Sequence, residues 1–162
     1  MESDILKDVI NKLILNNKTI STMESCTGGG LCNAITNCED SSKVFKFSAI
    51  TYSNEYKIKM GVSSDIIEKY SVYSLETARE MANAISKFTD SNYGIGITGK
   101  LNKPDDANPY GKDNYVFVSI YDRDNDFHYD LIVDVSKPTR IENKEYVISN
   151  IVRKLNAILE AL

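Results

Sequence analysis

The sequence predicts an α/β fold, a single three-layer α/β/α sandwich with a mixed sheet, formed by one domain over residues 1–162. Amphipathic helices alternate with strands through the first part of the chain, and such crossovers join parallel strands. Two later strands are separated only by a short polar turn, which is typical of an antiparallel hairpin. The sheet should therefore contain both strand directions, with helices on both faces.

The first elements are predicted from periodicity in chain order. Apolar residues spaced by three and four positions predict helices, and β-branched or aromatic runs predict strands. These patterns give a helix over 3–17, a strand beginning at Thr19, a helix over 30–37, a strand over 44–52, and short helices over 53–60 and 63–70. Gly61 is expected to end the first short helix, and Ser63 or Ser64 to cap the second.

The remaining elements follow from the same patterns. Ser74 should cap a helix whose apolar face runs to Thr89. In the next strand, Gly94 and Gly96 occupy alternate positions, which indicates that another element packs closely on that face. The predicted ranges are a helix over 74–89, strands over 92–99, 115–121 and 127–135, and a last helix from Pro138 to Leu162.

Composition excludes several classes of function. The net charge of −4 argues against general nucleic-acid binding, which needs a basic face. No apolar run reaches the roughly 20 residues that a membrane-spanning helix needs. The first residues lack the basic start of a signal peptide. We therefore expect a cytoplasmic protein with no nucleic-acid partner and no membrane partner.

Histidine and cysteine give little support for a metal site or a cofactor. The three cysteines, Cys26, Cys32 and Cys38, are six residues apart and match no common zinc pattern. His128 is the single histidine and lies in a strand-like aromatic run, so a structural role is expected. A Ser-His-Asp triad is therefore poorly supported, although Cys26 could still act as a thiol nucleophile. We predict no metal and no cofactor.

Polar residues cluster where three predicted strands end, at 24–29, 51–57 and 98–99. The carboxyl ends of parallel strands form the usual ligand crevice of an α/β sheet. A serine in such a crevice needs a base, and a desolvated lysine can serve. Tyr52 and Lys57 have suitable residue types, but their spacing alone equally fits a packed ring and a solvated lysine.

Two sequence blocks resemble one protein family closely. Glu24-Ser25-Cys26-Thr27-Gly28-Gly29, followed by Thr51-Tyr52-Ser53-Asn54-Glu55-x-Lys57, is similar to the paired blocks of the CinA C-terminal domain family. The resemblance covers nearly the whole chain and corresponds to the stand-alone form, whose members are nicotinamide mononucleotide deamidases. It implies a small-molecule nucleotide substrate, a homo-oligomer, and hydrolysis to nicotinic acid mononucleotide and ammonia.

The resemblance also implies roles for individual residues. Lys57 would be the general base of a Ser/Lys pair, and Tyr52 its hydrogen-bonding partner. The nucleophile would be Ser25 or Ser42, and the sequence leaves that choice open. The substrate-binding positions implied are Thr27, Gly28, Gly29, Asn54, Thr98, Gly99 and Arg140.

The chain departs from the family after Gly99. Residues 100–107 replace a Gly-Pro-x-Gly-Gly run, and Arg140 and Lys144 stand where the family has two arginines. Lys100, Lys103, Arg140 and Lys144 could meet a phosphate, or could be ordinary surface charge. The alternative function is therefore a catalytically diverged relative that binds a nucleotide or a protein partner without turnover.

Overall fold

A five-stranded mixed sheet organises the computed structural model, which describes residues 2–109 and 111–162. Its strands lie in the order β2-β1-β3-β4-β5. Strand β1 pairs in parallel with β2 and β3, whereas β3–β4 and β4–β5 are antiparallel. The elements are α1 (Glu2–Leu15), β1 (Ile20–Glu24), α2 (Gly30–Thr36), β2 (Phe45–Ile50), α3 (Asn54–Lys59), α4 (Ser64–Tyr70), α5 (Leu75–Thr89), β3 (Tyr93–Gly99), β4 (Tyr115–Asp122), β5 (Phe127–Asp134) and α6 (Arg140–Glu160).

Helices cover both faces of the sheet. On one face α1, α2 and α6 bury the larger apolar core against the strands. On the other face α5 lies across β1, β3 and β4, where Met81 and Ile85 pack with Met23 and Ala49. The predicted α/β/α arrangement with a mixed sheet is therefore confirmed.

The ends of several elements differ from the predicted ones by one or two residues. Strand β2 ends at Ile50, so Tyr52 lies in the turn before α3 and not in the strand. Helix α6 begins at Arg140 and not at Pro138, because Thr139 caps it and exchanges hydrogen bonds with Glu142. Ser63 caps α4, and Ser74 caps α5 as predicted. The hydroxyl of a cap accepts an amide N–H of the first turn and so sets where the helix starts.

No helix among residues 2–109 and 111–162 is long and apolar enough to cross a membrane.

The predicted close approach at the glycines of β3 is confirmed, and it makes Gly96→Ala strongly destabilising. A Cβ atom at this position would collide with the carbonyl oxygen of Ala78 and lie 2.7 Å from the amide nitrogen of Ala82. Both are backbone atoms of α5 and cannot move without separating the helix from the sheet. We expect a loss of roughly 3 kcal/mol or more in the free energy of unfolding, measured by urea denaturation.

Gly30→Ala is the matched control for that substitution. Its Cβ would lie 2.7 Å from Cδ1 of Ile148, the mobile end of a side chain. Alanine also favours a helix over glycine, so the change should stay within about 1 kcal/mol. Equal losses in both variants would contradict the backbone-contact explanation.

Candidate functional site

The turn that follows β1 presents Ser25 at the carboxyl edge of the sheet. The Ser25 amide donates to the carbonyl of Ile97 on β3, and the Gly28 amide donates to the carbonyl of Ser25. Gly28 and Gly29 have φ angles of 61° and 94°, a region that favours glycine. The two glycines therefore let the chain turn sharply from Ser25 into α2.

The side chain of Glu24 stabilises this turn through hydrogen bonds. Its buried carboxylate accepts hydrogen bonds from the Thr27 hydroxyl at 2.6 Å, the Leu31 amide at 3.0 Å and the Cys32 amide at 2.8 Å. These bonds satisfy amides of the first turn of α2, where a negative charge is favourable. The Thr27 hydroxyl is thus used within the protein. Sequence analysis missed this role of Glu24, for which an acidic residue ahead of a glycine-rich helix start was the available signal.

Lys57 on α3 makes direct contact with Ser25. Its Nζ lies 3.0 Å from Ser25 Oγ and 2.7 Å from the carbonyl oxygen of Thr51. The two segments are joined because the Thr51 amide donates to the carbonyl of Glu24. Lys57 is only 2% exposed, and this burial lowers the pKa of its ammonium to about 8. The neutral amine is therefore accessible near neutral pH.

Burial also favours the neutral form of Cys26. Burial raises the pKa of the Cys26 thiol to about 12, so the reactive thiolate is disfavoured. The amides of Cys26 and Thr27 donate to no backbone carbonyl among the residues that the structure describes. This part of the turn therefore has two N–H groups outside the backbone hydrogen bonding, beside a serine that contacts a lysine, and it does not offer a reactive cysteine.

Ser25 opens into a cavity of about 410 Å³ at the carboxyl edge of the sheet. That volume is within the range of small-molecule sites. Tyr52 lies in the wall and is 66% exposed. Its predicted hydrogen bond with Lys57 is not seen in this structure, in which Lys57 Nζ donates to Ser25 Oγ and to the Thr51 carbonyl. The lining residues are Ser25, Cys26, Tyr52, Tyr73, Gly99, Lys100, Leu101, Lys103, Pro104, Asp105, Asp106, Ala107 and Arg140.

The segment that departs from the family forms one wall of this cavity, and polar contacts hold it in place. The Tyr73 hydroxyl donates to the carboxylate of Asp105. The Asn54 side-chain amide donates to Asn108 Oδ1 at 3.1 Å. Asn54, predicted to bind substrate, therefore fastens the loop in this structure. Tyr73 had no sequence signal, because only the fold brings it to the loop.

Of the remaining residues predicted for the site, some line the cavity and others lie away from it. Gly99 and Arg140 line the cavity, whereas the buried Thr98 hydroxyl donates to the carbonyl of Val72. Ser42 is exposed in a short 3₁₀ helix, Ser41–Lys43, that precedes β2. Since β1 and β2 are parallel, Ser42 lies at the opposite edge of the sheet from Ser25. Within one chain, the structure thus brings Ser25 to Lys57 and leaves Ser42 distant.

Residues 2–109 and 111–162 contain no group of three or more histidine, cysteine or acidic residues arranged to hold a metal. His128 lies on β5 and outside the cavity lining. Its Nε2 is 2.7 Å from Asn83 Oδ1, and its ring stacks on Tyr121. These contacts fit the structural role expected for it.

The fold and the site together describe an α/β protein with a mixed sheet. A serine in contact with a lysine lies at the carboxyl end of its first strand. Comparison with known proteins identifies the family. The chain matches the CinA C-terminal domain over residues 2–157 and belongs to that family.

Curated relatives support the same membership. The chain is 43% identical over 117 residues to a putative competence-damage inducible protein of Clostridium novyi, covering 71% of this chain and 28% of that protein. It is 44% identical over 100 residues to a CinA-like protein of Endomicrobium trichonymphae, covering 60% of this chain and 23% of that protein. The matched part of the chain therefore spans about a quarter of the length of these relatives.

Solved structures share the fold. A competence or damage-inducible protein from Enterobacter asburiae superposes with a TM-score of 0.90 at 22% identity, covering 98% of each chain. A CinA superfamily protein from Escherichia coli gives a TM-score of 0.80 at 26% identity, covering 100% of this chain and 91% of the other.

Proposed function

We propose that this protein is a serine amidohydrolase that converts nicotinamide mononucleotide and water to nicotinic acid mononucleotide and ammonia. The observation that carries the proposal is the buried 3.0 Å contact between Lys57 Nζ and Ser25 Oγ beside the cavity. The family resemblance of both sequence blocks supplies the substrate. Among the two candidate serines we assign Ser25 as the nucleophile, because it alone contacts the lysine.

The first chemical step is attack of Ser25 Oγ on the amide carbon of the substrate. Neutral Lys57 accepts the hydroxyl proton as the new C–O bond forms, which converts a weak nucleophile into an effective one. The oxyanion that develops on the amide oxygen is stabilised by the amides of Cys26 and Thr27. Glu24 keeps these amides in place by anchoring the turn and the start of α2.

The second step breaks the C–N bond. The ammonium of Lys57 returns its proton to the departing nitrogen, which leaves as ammonia, and an acyl group remains on Ser25. Water then attacks this ester with neutral Lys57 again as the base, releasing the carboxylate product and restoring the serine. The Thr51 carbonyl accepts a hydrogen bond from Lys57 at 2.7 Å and holds its Nζ beside Ser25 throughout.

Ammonia release from nicotinamide mononucleotide by the purified protein tests this function. Release that depends on Ser25 and Lys57 supports the amidohydrolase. The absence of release at high protein concentration, with nicotinamide mononucleotide still raising the melting temperature, would support the nucleotide-binding alternative. The absence of both would contradict the substrate.

The activity should depend on pH through Lys57. The base must be neutral, and burial lowers its pKa to about 8, so kcat/KM should fall as pH drops below about 8 and level off above it. An unburied lysine would instead produce a rise near pH 10.4. A kcat/KM profile from pH 6 to pH 10 gives the measurement, and a flat profile would contradict the role of Lys57.

The proposal includes a cytoplasmic homo-oligomer. Exposed apolar side chains lie on the edge strand β2 and on the neighbouring α3, and they support self-association. They are Phe47, Ile50, Tyr56 and Ile58.

A further inference from the structure

We propose that Lys100 forms an anion subsite of the cavity and binds the phosphate group of a mononucleotide. The inference rests on the proposed function for the identity of the substrate, but the subsite itself is defined by Lys100 and its surroundings. Lys100 belongs to the segment in which this chain departs from its family. It is therefore a feature of this chain that the two family blocks do not supply.

Lys100 is a buried cation in the wall of an open cavity. The residue is 3% exposed, and its backbone is fixed because its amide donates to the carbonyl of Tyr115 on β4. Its Nζ lies 3.2 Å from Asp113 Oδ1 and 5.1 Å from the centre of the Tyr73 ring. Lys100 thus lines the cavity directly after the end of β3, and its Nζ is paired with Asp113.

The partners of this cation leave part of its hydrogen-bonding capacity unused. An ammonium carries three N–H donors. Asp113 Oδ1 is the one acceptor that Nζ has among residues 2–109 and 111–162, and the Asp113 side chain is 46% exposed. A buried charge with so few partners is costly. A ligand oxygen in the cavity would fill the remaining donors and offset that cost.

The charged side chains that line the cavity include both cations and carboxylates. Lys103 and Arg140 line the same cavity and are exposed. Arg140 is also the first residue of α6, where the helix dipole is positive. The opposing carboxylates are Asp105 and Asp106.

The Asp105 carboxylate is already occupied. It accepts from the Tyr73 hydroxyl, the Ala107 amide and the Asn108 side chain. These bonds, with the Tyr73 hydroxyl first among them, hold the pKa of Asp105 below its usual value. This carboxylate therefore stays charged while the neutral donors of the loop hold it, and the carboxylate that pairs with Lys100 is that of Asp113.

The other basic residues serve this role less well. Lys103 is solvated, so a contact with phosphate there is screened and gains little. Lys144 lines a separate groove between α2 and α6. Burial makes Lys100 the position where one charge-assisted hydrogen bond has its largest effect.

Ribose 5-phosphate is the probe for this subsite, since it carries the phosphate but no amide. Calorimetric titration should show that Lys100→Met weakens its binding roughly 10- to 100-fold, the effect of losing one charge-assisted hydrogen bond. The KM for nicotinamide mononucleotide should rise similarly with kcat little changed. Turnover of the phosphate-free nicotinamide riboside should be unaffected. Lys100→Arg should recover much of the phosphate affinity.

Two further variants distinguish an effect on phosphate binding from a general effect on the structure. Lys112→Met removes the same charge from an exposed lysine outside the cavity lining and should leave both affinities unchanged. Asp113→Asn frees Lys100 and should tighten ribose 5-phosphate binding. A weaker affinity in Asp113→Asn, or equal losses for the phosphorylated and phosphate-free substrates in Lys100→Met, would overturn the subsite.

The subsite and the proposed function fail in different ways. If ribose 5-phosphate binds through Lys100 but no ammonia is released, the hydrolytic function is wrong and the anion subsite is supported. If ammonia is released and Lys100→Met leaves the KM for nicotinamide mononucleotide unchanged, the subsite is wrong and the hydrolase is supported.

Discussion

Lys57→Met is expected to reduce ammonia release by roughly 10⁴-fold or more while leaving the protein folded. The substitution removes the group that contacts Ser25 Oγ and can accept its proton. Methionine is similar in length and apolar, so it can fill the space of a side chain that is already buried. Single-turnover and steady-state ammonia assays would measure the loss, and circular dichroism would check the fold.

The same substitution should change how stability depends on pH. In the unfolded chain the lysine keeps its proton up to about pH 10.5, whereas in the folded protein it loses it near pH 8. Between these values the unfolded state binds more protons, so the free energy of unfolding of the wild type rises with pH. Below pH 8 the full cost of burying the ammonium is present, about 3 kcal/mol for a shift of this size.

The Lys57→Met variant has no titrating group at this position, so its free energy of unfolding lacks this dependence on pH. At pH 7 the relief of that cost should largely offset the hydrogen bond lost by the Thr51 carbonyl, about 1–3 kcal/mol. At pH 10 only the loss of that hydrogen bond remains, so the variant should then be clearly less stable than the wild type. Urea denaturation at both pH values measures the difference.

Lys59→Met is the matched control on the same helix. Lys59 is exposed, with a 3.9 Å contact to Glu55. The Lys59→Met variant should retain activity, and its free energy of unfolding should depend on pH as that of the wild type does. A Lys57→Met variant that keeps appreciable turnover would contradict the proposed base, and a parallel pH dependence in the variant and the wild type would contradict the effect of burial.

Much of this fold could be predicted from the sequence because its helices and strands each carry one clear period. The polar turn between β4 and β5 indicated the antiparallel hairpin, and the alternate glycines of β3 indicated that another element packs closely on that face. The end of β2 and the start of α6 were harder to place, because the capping side chains of Ser53 and Thr139, which accept amide N–H groups of the first helical turn, set where α3 and α6 begin.

The site was only partly predictable, since its geometry depends on contacts between distant segments. Ser25 and Lys57 are 32 residues apart, and their contact requires β1 and β2 to pair in the observed register. No period in the sequence distinguishes buried Lys100 from exposed Lys103. The burial of one and the exposure of the other follow from the path of the loop beyond β3, which only the folded chain defines.

Ser25→Ala is expected to abolish turnover to a similar extent, by roughly 10⁴-fold or more, with little effect on substrate binding. Removing the hydroxyl removes the atom that forms the acyl intermediate, but leaves the Cys26 and Thr27 amides and the rest of the cavity unchanged. Ammonia release measures the loss. The affinity for nicotinamide mononucleotide, measured calorimetrically, should stay within a few-fold of the wild type.

Ser42→Ala decides between the two serines, because it makes the same chemical change at the opposite edge of the sheet. Ser42 is exposed and precedes β2, whereas Lys57 follows it, so its loss should change kcat/KM less than about threefold if each chain works alone. A large loss in Ser42→Ala with activity retained in Ser25→Ala would reverse the assignment. Because Lys57 of the same chain cannot reach Ser42 in this fold, that result would require the serine to come from a second copy, and mixing the Ser42→Ala and Lys57→Met variants should then restore part of the activity.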